Sequence, residues 1–165
     1  MNKALISKYN VAGPRYTSYP TVPYWENELF STQAWKSSVV KSFRDSNISE
    51  GISLYIHLPF CESLCTFCGC HKRITKRHEN ELPYVEAVLK EWDLYLEFLP
   101  EVPIIKELHL GGGTPTFFSP EHLHQLISGI LSKAKVHPNK EFSFEGHPNS
   151  TKLEHLKVLN SLGFT

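Results

Sequence analysis

Ile52-Ser53-Leu54-Tyr55-Ile56-His57-Leu58-Pro59-Phe60-Cys61-Glu62-Ser63-Leu64-Cys65-Thr66-Phe67-Cys68-Gly69-Cys70 is the stretch that decides the fold. Its first seven residues alternate, with Ile52, Leu54, Ile56 and Leu58 on one side and Ser53, Tyr55 and His57 on the other. That is the period of a strand with one buried face, and Pro59 ends it. Directly afterwards come all four cysteines of the chain, within the ten residues 61–70. Soft thiolates select iron–sulfur clusters, zinc or copper(I). Crowded into one loop at a strand end, they read as a site.

The same order recurs outward along the chain. A helix is expected from Asn80, as its cap, to about Leu99, with Leu82, Val85, Leu89, Trp92 and Leu96 on one face and Pro83 in its first turn. Ile104 to Leu110 reads as a second strand, followed at once by Gly111-Gly112-Gly113-Thr114-Pro115-Thr116. Ser119-Pro120 is the cap and first residue of a helix with Leu123, Leu126, Ile127, Ile130 and Leu131 as its apolar face. Glu141 to Gly146 is expected to be a third strand. A capping box in Thr151-Lys152-Leu153-Glu154 then opens a last helix ending at Gly163. Strand and helix alternate, which argues for parallel strands joined by right-handed crossovers.

Upstream, a helix from about Ser31 to Asp45 carries Trp35, Val39 and Phe43 at four-residue spacing. Tyr9 to Trp25 is proline-rich and aromatic and reads as an extended arm, either packing only or covering a cofactor or substrate opening. The basic segment 71–78 reads as a solvated loop. The expected division is an arm and helix over 1–50 and a catalytic α/β domain from 51 to 165. Phe164 and Thr165 resemble the opening of a fourth strand, and a closed eight-stranded barrel needs roughly 250 residues. The expectation is therefore an incomplete (β/α) barrel, with a small three-layer α/β domain as the other possibility.

Composition bounds the function. Lys and Arg number 17, as do Asp and Glu, so nothing drives nonspecific attraction to nucleic acid or an anionic membrane. No segment approaches the roughly 18 consecutive apolar residues of a spanning helix, and the first residues lack the apolar stretch of a signal peptide. A cytoplasmic protein is expected, where thiols stay reduced and clustered cysteines more often mean metal than disulfides.

Cys61, Cys65 and Cys68 stand in CxxxCxxC spacing. Three thiolates hold three irons of a four-iron cluster and leave the fourth open to another donor. Four thiolates close a ferredoxin-type cluster or a tetrahedral zinc site, although structural zinc sites usually draw on two separated pairs. Iron–sulfur, zinc and redox cysteines all stay open at this point, in that order of preference. Cys70, one residue from Cys68, is expected to stay uncoordinated. The glycine run lacks the Lys-Ser or Lys-Thr of a P-loop and the spacing of a dinucleotide fingerprint. It allows close backbone approach to a ligand, and it follows a strand as the cysteines do, with Glu145 closing the third strand. His57 and His109 carry little information alone.

CxxxCxxC followed by a post-strand GGGTPT resembles the radical S-adenosylmethionine enzymes. Gly13-Pro14-Arg15-Tyr16-Thr17-Ser18-Tyr19-Pro20-Thr21 and Tyr55-Ile56-His57-Leu58-Pro59-Phe60-Cys61 narrow the resemblance to the N-terminal portion of the oxygen-independent coproporphyrinogen III oxidase family. The resemblance implies a partial barrel with Cys61, Cys65 and Cys68 on a [4Fe-4S] cluster and Cys70 off it. It implies that Tyr55, Gly112 and Glu145 contact a first S-adenosylmethionine, Tyr55 being the catalytic candidate. Phe67, Gly113 and Thr114 match contacts to a second. Gly146-His147-Pro148 departs from the family pattern, which has an acidic residue or Asn before the proline.

Family members are well over twice this length, so the chain is expected to be a fragment without turnover of its own. The implied reaction cleaves S-adenosylmethionine with one electron from the reduced cluster. The resulting radical takes hydrogen from a propionate β-carbon. Loss of carbon dioxide and one electron then leaves a vinyl group, and two such events turn coproporphyrinogen III into protoporphyrinogen IX. Implied partners are this substrate, an external reductant and an electron acceptor, with the full-length protein a monomer. A radical S-adenosylmethionine-type haem chaperone and a zinc-stabilised structural or interaction domain are the rival readings.

Overall fold

The alternation of residues 52–58 folds as read. β1 (Ile52–Leu58) pairs in parallel with β4 (Ile104–Gly112), and β4 with β5 (Lys135–Phe144), giving a sheet in the order β1-β4-β5. A computed structural model describes residues 3–10, 24–25 and 30–165. Residues 11–23 of the aromatic arm lie outside the described residues. Two compact units divide the chain, Met1–Trp35 and Lys36–Thr165. The first contains α1 (Lys3–Tyr9). α2 (Thr32–Ser46), close to the expected bounds, begins in the first unit and ends in the second.

Period two separates the faces of the sheet. Ile56, Leu58, Leu108, Leu110 and Phe142 are buried on one face. They form one core with Val85 and Trp92 of α3 (Glu81–Leu96), with Leu123, Leu126, Ile127 and Ile130 of α4 (Pro120–Leu131), and with Leu159 of α5 (Leu153–Ser161). The opposite face is polar, and ladder partners line it: Ser53 beside Glu107 and Glu141, and Tyr55 beside His109 and Ser143. The carboxyl ends of the three strands lie together, as the strand–helix order predicts. At their amino ends the buried Asn47 donates to the Val102 carbonyl (3.2 Å) and accepts from the Ile104 N–H (2.8 Å), tying the end of α2 to the start of β4.

Several local expectations need correction. The basic segment is not all loop, because Arg73–Ile74 forms β3 and pairs in parallel with β2 (Phe60–Cys61). Asn80 precedes α3, but its backbone is helical and its side chain makes no cap; a 3-10 turn over His78–Asn80 leads in instead. Leu82 is exposed, while Glu81 is buried. β5 starts at Lys135, earlier than the alternation signals. Its ladder skips from Val136 to Glu141, so Pro138 sits in an irregular stretch where no ladder donor is needed.

The cap of α4 is as read, with the Ser119 hydroxyl accepting the His122 N–H (3.2 Å) ahead of Pro120. The cap of α5 is not. Thr151 and Glu154 do not form the box; the N–H of Lys152 donates to His155 Nδ1 (3.0 Å), and the N–H of His155 donates to the Lys152 carbonyl (3.1 Å). The Thr151 hydroxyl is engaged with the His147 carbonyl (2.9 Å) and Thr116 (2.9 Å). After Gly163, in the left-handed region at φ 94°, the Thr165 N–H donates to the Phe142 carbonyl (3.3 Å), extending the backbone alongside β5.

Candidate cofactor site

Three strand ends build the site. β1 delivers the cysteine loop, β4 the glycine loop, and Glu145 follows β5 with its N–H donating to the Leu110 carbonyl (2.9 Å). Cys61, Cys65, Cys68 and Cys70 line one cavity of about 320 Å³ together with Phe67, Gly112, Gly113, Thr114 and Glu145. Residues more than eighty positions apart in sequence thus share one space at the carboxyl end of the sheet. Tyr55 is the exception. It lines a neighbouring groove of about 450 Å³ between β1 and α3, with His57, Tyr84 and Trp92.

The glycine loop is stitched to β1 and β2. The Gly113 N–H donates to the Leu58 carbonyl (2.9 Å), the Thr114 N–H to Phe60 (2.9 Å), and the Gly112 N–H to Glu145 Oε2 (3.2 Å). A Cβ on Gly113 would stand 2.6 Å from the Pro59 carbonyl carbon and oxygen. Gly112 has φ 112°, and a Cβ there would meet the His57 ring at 2.6 Å. The close approach anticipated for a ligand is therefore made, at these two positions, to the protein's own β1–β2 segment.

The cysteine loop differs. Cys61, at its root, is buried and accepts the Thr114 hydroxyl at its Sγ (3.3 Å). Cys65 and Cys70 are exposed, Cys68 is half-buried, and the Phe67 ring is fully exposed. Among the described residues, no three Cys, His, Asp or Glu side chains are gathered as closely as one metal ion requires. The cysteines share a cavity without being set in ligand geometry. Their chemistry nevertheless fits a sulfur-held metal centre, since three or four thiolates reach one space that also offers backbone and a carboxylate. Slight desolvation, then Cys68 and Glu145, push the Cys70 thiol up.

A polar network borders the cavity. His57 Nε2 lies 2.7 Å from the His71 carbonyl, which only accepts, so Nε2 carries the proton and Nδ1 accepts the Tyr55 hydroxyl at 3.0 Å. Burial, then the Glu145 carboxylate and Cys70, push the Tyr55 hydroxyl up, which keeps it a donor. His57 is thus satisfied within the protein. Its backbone carbonyl accepts the Tyr84 hydroxyl (2.7 Å). His109 stacks on Tyr55 with centroids 5.9 Å apart, bonds Ser143 through Nδ1 (2.8 Å) and sets Nε2 3.6 Å from Glu145 Oε1. In the sequence His109 carries little information alone. Its place opposite Tyr55 and Ser143 was the available signal, once period two and strand order are combined. His147, on the loop after β5, also lines the cysteine cavity.

No family model matches the chain. Curated relatives do. It is 32% identical over 163 residues to the oxygen-independent coproporphyrinogen III oxidase of Pseudomonas aeruginosa, covering 97% of this chain and 34% of that protein. The enzyme of the same name from Escherichia coli is 35% identical over 166 residues, covering 98% and 34%. That from Helicobacter pylori strain 26695 is 37% identical over 164 residues, covering 96% and 34%. The chain therefore spans about a third of the length of the curated relatives it matches. The solved structure of coproporphyrinogen III oxidase from Escherichia coli, described as a radical SAM enzyme, superposes with a TM-score of 0.79 at 32% identity over 99% of this chain and 34% of that one. In sequence and in backbone alike, this chain is similar to about a third of the length of the oxygen-independent coproporphyrinogen III oxidases.

Proposed function

We propose that the chain forms the cluster- and cofactor-binding part of an enzyme that converts coproporphyrinogen III to protoporphyrinogen IX without oxygen. The observation that carries this reading is the shared cavity of the three CxxxCxxC cysteines, the glycine loop and Glu145 at the carboxyl ends of parallel strands. The relatives named for the reaction support it. Cys61, Cys65 and Cys68 would hold a [4Fe-4S] cluster, leaving one iron for the amino and carboxylate groups of S-adenosylmethionine. Bound together, the two supply a one-electron cleavage that delivers a hydrogen-abstracting radical to a substrate propionate.

The chain's own residues position and enclose. Gly112 and Glu145 hold each other across β4 and β5, so the carboxylate faces the cavity from a fixed backbone. Tyr55 and His109 form a stacked wall beside it, with Tyr55 held as a donor by His57. Phe67, free of packing, would cover bound material, with Gly113 and Thr114 offering contacts to a second S-adenosylmethionine. Cys70 stays off the metal. The division into an arm and helix over 1–50 and a barrel segment from 51 belongs to this reading, as do a cytoplasmic site, an external reductant and an electron acceptor.

Anaerobic purification and reconstitution of the intact protein test it. A brown protein with broad visible charge-transfer absorption and about four irons per chain is expected. It should form protoporphyrinogen IX when coproporphyrinogen III, S-adenosylmethionine, a reductant and an electron acceptor are supplied. A colourless protein holding stoichiometric zinc would overturn the reading.

A further inference from the structure

Glu81 is a carboxylate for which the proposed chemistry has no use, and it is almost wholly buried, 1% exposed. Desolvating a carboxylate is costly unless donors surround it. Here three do. Oε1 accepts from His78 Nδ1 (2.5 Å), and Oε2 accepts from His122 Nδ1 (2.6 Å) and from the Ser119 N–H (2.8 Å). The donors come from two places that are remote in sequence, the turn before α3 and the cap of α4. A buried group satisfied this completely holds its partners in one arrangement.

His78 extends the arrangement to the cysteine loop. Its Nε2 lies 3.6 Å from Glu62 Oε1, next to Cys61, and its ring stacks on Phe117 at 4.5 Å and 12°. The loop between Cys61 and Arg73 is also closed by the short β2–β3 pairing, Arg73 N–H to the Pro59 carbonyl (2.8 Å) and Thr75 N–H to the Cys61 carbonyl (2.9 Å), and by His57 Nε2 on the His71 carbonyl (2.7 Å). His78 therefore joins the start of the cysteine loop to its exit, and Glu81 fixes that junction to α4. Phe117 belongs to the turn after the glycine loop, so the same ring also braces the second wall of the site.

We propose that Glu81 is a positioning residue for the cysteine loop, acting through His78 to hold Glu62 and the loop root against α4 and so to slow loss of the bound cluster. The proposal rests on the iron–sulfur reading above. Groups that orient ligands from outside the coordination sphere alter metal affinity by about 10- to 100-fold when removed. His78→Phe keeps the stacking partner for Phe117 and removes both polar contacts. Glu81→Gln keeps the shape and removes the charge.

The experiment uses the intact protein, reconstituted anaerobically with iron and sulfide, and follows iron release to a ferrous chelator. Thermal unfolding of the apo form and the electron paramagnetic resonance spectrum of the reduced cluster are recorded alongside. His78→Phe should release iron about tenfold faster and change the spectrum, and, because it leaves Glu81 Oε1 buried without this donor, it should also lower the apo unfolding temperature. Glu81→Gln should release iron at least as fast. Asn47→Ala, which loosens the opposite end of the sheet, should lower the unfolding temperature and leave iron release at the parental rate. The latch is overturned if His78→Phe and Glu81→Gln both release iron at the parental rate, or if Asn47→Ala accelerates release as much as they do. Those results sink the latch alone. A parental protein that builds no cluster removes the functional reading with it.

Discussion

The glycine loop and the cysteine loop face one cavity but are built differently. In the glycine loop, three successive N–H groups, from Gly112 to Thr114, are bonded within the protein, and a Cβ at Gly113 would strike the Pro59 backbone. In the cysteine loop, Leu64, Cys65, Phe67 and Cys70 are exposed, and one turn bond from the Cys68 N–H to the Cys65 carbonyl (3.2 Å) organises its centre. One wall is complete as folded; the other has a fixed root at Cys61 and a largely exposed span. Metal binding to such a loop couples to its folding. Substitutions in the two loops should therefore separate into losses of stability and losses of metal.

The largest effect expected from that contrast is on metal. Cys65→Ala should leave apo stability within about 0.5 kcal/mol, as for an exposed side chain, while bound iron and sulfide fall to a trace after reconstitution. Full iron retention in Cys65→Ala would remove the cysteine from the ligand set. Next comes Gly113→Ala, where no rotamer change relieves contact with backbone. A loss of about 3 kcal/mol in denaturant unfolding of the apo protein is expected. Parental stability there would mean that the β1–β2 segment yields easily and the glycine wall is not rigid. The smallest effect is at Cys70→Ala, with apo stability within about 0.5 kcal/mol and iron content at the parental level. Loss of iron in that variant would show that the loop uses its fourth thiolate.

What was legible in the sequence was local. The alternation of Ile52 to Leu58 marks β1 to the residue, and Ser119-Pro120 marks the start of α4, because period two and cap stereochemistry involve neighbours only. The second half of β5 was legible for the same reason, although the strand ends at Phe144 and not at Gly146. Its beginning was not, since Lys135 and Val136 are strand residues through pairing with Ile104 and Ile105 and carry no alternating pattern of their own. Arg73 and Ile74 likewise read as loop, because a two-residue strand exists only through its partner, Phe60–Cys61. At α5, Thr151 offered the standard cap residue type, but a tertiary bond to Thr116 engages its hydroxyl and His155 does the local work.

The candidate site divides along the same line. Cysteine spacing, the glycine run after a strand, and Glu145 at the end of another strand are written in the chain, since each follows from a residue type and its distance from a strand end. By itself, then, the sequence determined which cysteines are candidates, the parallel α/β class and the end of the sheet where the two loops meet. Only the tertiary structure decided that Tyr55 lines the neighbouring groove, that His109 stands between Ser143 and Glu145, and that Gly113 lies against Pro59. It alone decided that Glu81 joins two histidines 44 positions apart in number, His78 and His122. The reason is physical: periodicity and capping are set by neighbours along the backbone, whereas burial of a charge and the choice of a hydrogen-bond partner depend on which distant segments the core brings together.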